Sequence, residues 1–131
     1  MTNEALRWRP ISLLPTFAEE ICHVAESAHD QAGHLRRAYH GPDLIDEDEL
    51  ARMQRVYEKS ENLMTLSREQ VRRWRSEQPT ADEVIMLDHL EVVIARWTLD
   101  TKDIIRAVKA MMADQQPFTN RTRRRAGETS V

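Results

Sequence analysis

Between residues 87 and 111, apolar residues recur at alternating steps of three and four. Leu87, Leu90, Ile94, Trp97, Thr101, Ile104, Val108 and Met111 fill every core-type position of a heptad in turn. Residues 50–74 repeat the rhythm with Leu50, Met53, Tyr57, Ser60, Met64, Ser67, Val71 and Trp74. A stripe of this kind runs down one side of a helix, and only another helix can cover it along its length. Upstream, Leu14, Phe17, Ile21, Val24, Ala28 and Leu35 fall within about 60° of Ile21 on a helical wheel, which predicts a third amphipathic helix. The pattern is all-α.

Punctuation residues set the boundaries. Residues 1–14 show no helical period: Leu6, Trp8, Ile11, Leu13 and Leu14 are interleaved with Arg7, Arg9 and Pro10, as expected of an arm that lies against something. The first helix is expected over about 15–40, opening at Pro15 with Thr16 and Glu19 at capping-box spacing. Gly33 costs about 1 kcal/mol inside a helix, so the helix is expected to stop or bend there, and Gly41-Pro42 is a firm break. The second helix is expected over 46–76. Its acidic start, Asp46 to Glu49, and basic end, Arg72, Arg73 and Arg75, complement the helix dipole. After Glu77-Gln78-Pro79, Thr80 and Glu83 form a second capping-box pattern that opens a helix over 81–114, closed ahead of Pro117. Short connections make successive helices antiparallel, giving an up-down-up bundle over 15–114, an N-terminal arm and a basic tail at 115–131 expected to be disordered.

The third helix carries a second stripe that a plain three-helix bundle leaves over. Ile85, Val92 and Leu99 recur every seven residues on the side opposite the seam, with Val84, Met86 and Val93 nearby, so this helix is apolar on more than one side. Two covers are conceivable: the arm, through Trp8, Ile11 and Leu13, or a second copy of the chain in a two-fold dimer. The dimer is the preferred reading, with the arm contributing, so the expected interaction surface is Ile85, Val92, Leu99, Trp8 and Ile11.

Composition narrows the class. The chain has 131 residues, enough for one domain with its own core, and 40% of them are hydrophobic and 31% charged. No apolar run approaches the roughly 20 residues of a membrane span, and the N-terminus lacks the apolar core of a signal peptide, so a cytoplasmic location is expected. The single Cys22 cannot form an internal disulfide. Residues 1–116 hold 15 Lys or Arg against 21 Asp or Glu, whereas residues 117–131 hold four Arg against one Glu. An acidic body argues against a folded nucleic-acid surface. Arg121, Arg123, Arg124 and Arg125 in the tail remain as candidate nucleic-acid contacts. Sixteen Arg to three Lys hints at a GC-rich, bacterial genome.

Apparent chemical motifs reduce to structure. Glu20/His23 and Glu26/His29 have the Glu-x-x-His spacing of carboxylate-bridged di-metal bundles, but both pairs share one helix. His23 and Glu26 lie about 160° and 140° from Ile21, on the solvent face, and no seam position of the other helices is a carboxylate. His34, His40 and His89 read as surface residues. Cys22 has no partner placed to activate it and is expected to border the core beside Ala18, Ala25 and His29. Ser60, Ser67 and Thr101 within the seams are expected to allow close helix approach, their hydroxyls bonding the backbone one turn back. No cofactor motif is present.

The sequence therefore points to a non-enzymatic helical interaction protein, a homodimer or a binder of another helical protein, acting as an assembly or regulatory subunit. The alternatives are a small nucleic-acid-associated regulator using the Arg-rich tail and, last, a metal-dependent bundle enzyme using Glu20, His23, Glu26 and His29.

Overall fold

The computed structural model describes the backbone of residues 8–40 and 45–129, and side chains through residue 39 and from 45 to 114. A 3-10 turn at Ile11–Leu13 leads directly into α1 (Leu14–His40), which is followed by α2 (Glu47–Arg75) and α3 (Ala81–Thr129). Contacts fix the directions. Phe17 meets Trp74 and Gln31 meets Met53, so α1 and α2 are antiparallel. Arg75 meets Asp88 while Lys109 meets Glu58, so α2 and α3 are antiparallel, and α1 runs parallel to α3. This is the expected up-down-up bundle.

Both long seams are buried as the heptads predict. On α3, Leu87, Leu90, Trp97, Thr101, Ile104 and Val108 are fully covered, and Met111 is half-covered near the end. On α2, Leu50, Met53, Met64, Ser67, Val71 and Trp74 face inward, with Tyr57 and Ser60 half-buried at their edge. Burial raises the Tyr57 hydroxyl above its ordinary pKa. The helices are not equivalent partners: α3 packs closely on both α1 and α2, which makes it the central element of the bundle.

The face of α1 departs from the expected one. Ala25, Ala28, Ala32 and Ala38 are buried alongside Leu14, Phe17, Ile21 and Leu35, whereas Val24 is exposed at the edge. Alanine lets the α1 backbone approach α3 closely, so small side chains rather than the branched one define the contact. Gly33 does not end the helix, since α1 is continuous through it to His40. Thr16 sits inside the first turn and is not the N-cap, because the 3-10 turn starts the helix at Leu14, one residue ahead of Pro15.

The hairpin between α2 and α3 is built as its residues require. Thr80 and Glu83 form a reciprocal capping box, with Thr80 N donating to Glu83 Oε1 at 2.8 Å and Glu83 N donating to Thr80 Oγ1 at 3.2 Å. Gln78 takes a left-handed conformation, φ 55°, to reverse the chain ahead of Pro79. Arg75 then ties the end of α2 to α3 through Glu91 at 2.8 Å and Asp88 at 2.7 Å, and these two carboxylates raise its already high pKa further.

The backbone of α3 continues to Thr129, past the expected end at Asp114. A proline inside a helix forfeits one hydrogen bond and crowds the carbonyl four residues back, which is a local cost and not an absolute stop. The segment 115–131, expected to be disordered, is thus helical in its backbone through Thr129, while its side chains, Gly41-Pro42 and the side chain of His40 lie outside the described residues.

Gly33 supplies a stability test. A Cβ there would meet only the guanidinium tip of Arg37, at 3.4 Å, and the backbone is helical. Gly33→Ala is expected to stabilise the protein by about 0.5–1 kcal/mol in urea or thermal denaturation, since alanine restricts the unfolded chain without straining the helix. A destabilised variant would contradict the continuous helix.

Candidate interaction surface

The second stripe of α3 stands free. Ile85 is 68% exposed, Val92 66% and Leu99 66%, although the residues on the opposite side of the same helix are fully buried. The three lie seven residues apart and therefore form a nearly straight line about 21 Å long. Other large apolar residues on the surface are spread over α1 and α2: Val24, Tyr39, Val56 and Leu63, with Leu13 just ahead of α1.

Two grooves flank this ridge. Between α1 and α3 lies one of about 440 Å³, bordered by Cys22, His29, His89, Val93 and Arg96 among others. Between α2 and α3 lies another of about 480 Å³, with Arg68, Glu91, Ala95, Thr98 and Leu99 among its borders. A convex apolar ridge between open grooves suits a helical partner better than a small molecule, which concave sites enclose.

Trp8 and Ile11, grouped with the stripe by the sequence, stand elsewhere. The arm crosses the end of α1 and α2, where buried Gln70 grips the backbone of Arg9 from both sides: Arg9 N donates to Gln70 Oε1 at 2.8 Å, and Gln70 Nε2 donates to Arg9 O at 3.3 Å. Trp74 Nε1 donates to the same carbonyl at 2.9 Å. Arg73 stacks on the Trp8 ring at 4.4 Å, and Arg9 lies 5.5 Å from the Phe17 centroid and 3.0 Å from Glu20. Ile11 packs half-buried against the core. The described part of the arm therefore fills a site on α1 and α2, where buried amide and indole donors need partners, and leaves Ile85 open.

The half-motifs of α1 are separated as the wheel predicts. Glu20, His23, Glu26 and His29 are all classed as exposed, and Glu20 is engaged by Arg9. Among the described residues no three His, Cys, Asp or Glu side chains are placed to hold a metal ion. His34 and His89 lie on the surface, and Cys22 is half-buried along the groove that Ala25 and His29 also line.

Asp100 is the polar residue that the sequence reading passed over. It is 8% exposed on α3, and its Oδ2 lies 3.2 Å from His29 Nδ1 across the groove. Arg96 Nη2 lies 3.2 Å from His29 Nε2. A neutral ring protonated at Nδ1 satisfies both, donating to the carboxylate and accepting from the guanidinium. This is a polar clasp between α1 and α3, with no nucleophile beside it: Cys22 is two helical turns from His29, about 10 Å along the axis. Seven-residue spacing from Val93 is the one sequence signal that places Asp100 at the core edge.

The seam hydroxyls divide. Ser60 and Ser67 donate to the carbonyls of Val56 and Leu63, 3.1 Å and 2.7 Å away. Thr101 makes no such bond. The Arg tail candidates, Arg121, Arg123, Arg124 and Arg125, lie outside the residues whose side chains are described. Among the described residues no helix is long and apolar enough to cross a membrane.

The chain matches no protein-family model, no curated protein and no solved structure.

The arm contact yields a discriminating pair of variants. Trp74→Phe keeps a ring beside Phe17, whose centroid lies 5.2 Å from that of Trp74 at 86°, and loses the bond to Arg9 and part of the buried ring volume. The bond is worth about 1 kcal/mol of stability, and the lost volume about 1–2 kcal/mol more. Trp74→Ala adds a core cavity and is expected to cost about 3–5 kcal/mol. A Trp74→Phe variant as stable as the original by chemical denaturation would show that the indole N–H contributes nothing.

Proposed function

We propose that this chain is a non-enzymatic assembly subunit that self-associates through the outer ridge of α3, the occupant of that ridge being a second copy of the chain. The observation that supports the reading is the two-thirds exposure of Ile85, Val92 and Leu99 on a helix whose other side is sealed. A line of apolar residues at seven-residue spacing is complementary to a helix with the same spacing, and a copy of α3 supplies one in register. Charge agrees with a copy as partner. The residues beside the ridge carry both signs, with Asp88 and Asp103 set among Arg96 and Lys102 and with Arg106 at the end of the line, so the surface can meet itself without facing a block of like charge.

Magnitude sets the strength. Covering two thirds of three such side chains on each of two copies is worth on the order of 6–12 kcal/mol at about 1.5–3 kcal/mol per side chain. Association itself costs about 4–15 kcal/mol, so the dimer is expected to be weak and concentration-dependent. Trp8 and Ile11 are left out of this surface, because the described part of the arm packs on α1 and α2.

Light scattering coupled to size-exclusion chromatography tests the reading. The natural chain is expected to move from monomer to dimer as concentration rises through the micromolar range, and Val92→Glu is expected to stay monomeric with its unfolding free energy within about 0.5 kcal/mol of the original. A chain that remains monomeric throughout overturns the proposal.

A further inference from the structure

We infer that the two copies pack with their α3 helices parallel, Ile85 on Ile85, Val92 on Val92 and Leu99 on Leu99; this orientation rests on the self-association proposed above. On a helix, the residues three places after each ridge residue fall on one flank and those four places after fall on the other. The first flank here is Asp88, Ala95 and Lys102, and the second is His89, Arg96 and Asp103, all six exposed.

A parallel two-fold pair sets the first flank of one copy against the second flank of the other. Lys102 then stands one residue in level from the partner subunit's Asp103, and Arg106, one turn on, reaches the same carboxylate. Asp88 faces the partner subunit's His89, and Ala95 faces the partner subunit's Arg96. Symmetry repeats every pair. The one like-charge meeting is at the end of the ridge, where Arg106, seven residues after Leu99, stands level with its own copy and is exposed enough to turn toward the Asp103 carboxylates.

An antiparallel pair centred on Val92 sets each flank against itself. Arg96 would then stand beside the partner subunit's His89, and Asp103 beside the partner subunit's Asp82, while Lys102 would face the uncharged Ala81 and Val84. That arrangement sets two carboxylates together twice and gains no opposite-charge pair in return, and like-charge juxtaposition is what excludes a wrong orientation. The in-chain partners do not block the parallel pairing. Asp103 and Arg106 are 3.7 Å apart on the α3 surface, 53% and 79% exposed, so Asp103 keeps acceptor oxygen lone pairs and Arg106 keeps N–H donors to turn outward.

Cysteine cross-linking separates the orientations. In a Cys22→Ser background, Ile85→Cys, Val92→Cys and Leu99→Cys are each treated with a short thiol-to-thiol cross-linker at a concentration where scattering reports dimer. Each is expected to cross-link to itself. If only Val92→Cys does so, and Ile85→Cys cross-links only when mixed with Leu99→Cys, the pairing is antiparallel: the orientation is overturned and the self-association stands. If none of the three cross-links although the mass is dimeric, the ridge is not the interface and both readings fall, as they do if no dimer forms. A charge exchange gives an independent reading. Asp103→Lys is expected to raise the dimer dissociation constant about fivefold, and adding Lys102→Asp to recover most of it; an unchanged constant in both variants overturns the pairing.

Discussion

Burial of α3 between two other helices is the constraint from which the rest of the molecule follows. A helix flanked on two sides can seal only the arc that faces them, and the eight seam residues of α3 occupy that arc. Trp97 sits at its centre, with Leu87, Leu90, Ile104 and Val108 fully covered around it. The remaining arc faces solvent whatever residues it bears. In most helices that arc is polar; here Ile85, Val92 and Leu99 stand on it. The exposed ridge is thus a consequence of the same seam that holds the fold together.

The other helices are adapted to this centre in different ways. α1 approaches through a row of alanines and fastens its groove edge with the His29–Asp100 pair. α2 approaches through larger side chains, with Met53, Met64 and Trp74 filling the space and Ser67 thinning it where the helices come near. The arm completes the assembly at one end. Its backbone at Arg9 satisfies the buried amide of Gln70 and the indole of Trp74, groups that would otherwise be sealed with donors unmet. Glu69, on the same stretch of α2, has its carboxyl held below the usual pKa range by Arg72 and then Arg73, and Arg73 in turn carries Trp8.

Much of this was legible in the residues. Helix period is a property of the backbone, so the seams of α2 and α3 could be assigned position by position. Thr80 and Glu83 cap α3 through atoms three residues apart, which no distant contact disturbs. The rejection of the Glu-x-x-His pairs likewise needed only the angle between positions on one helix. Position along one helix does not decide a burial that depends on what lies across from the residue. Val24 and Ala25 are neighbours of similar angular claim, and the choice between them turned on how near α3 comes. The intrinsic cost of Gly33 suggested a stop or a bend there, but packing on either side carries the helix through it.

The sequence by itself determined the class of fold, the number of helices, their seams and the existence of a surplus apolar line on the third, because these depend on spacing along one chain and on local hydrogen bonding. Only the tertiary structure decided which surplus residues are covered. Trp8, Ile11, Gln70 and Asp100 come from distant parts of the chain, and their partners are set by where three helices and an arm converge, a relation no periodicity encodes. Once the arm is seen to lie on α1 and α2, the line Ile85, Val92, Leu99 is left as the uncovered face of the central helix, since the two neighbours that α3 accepts are already in place on its other side.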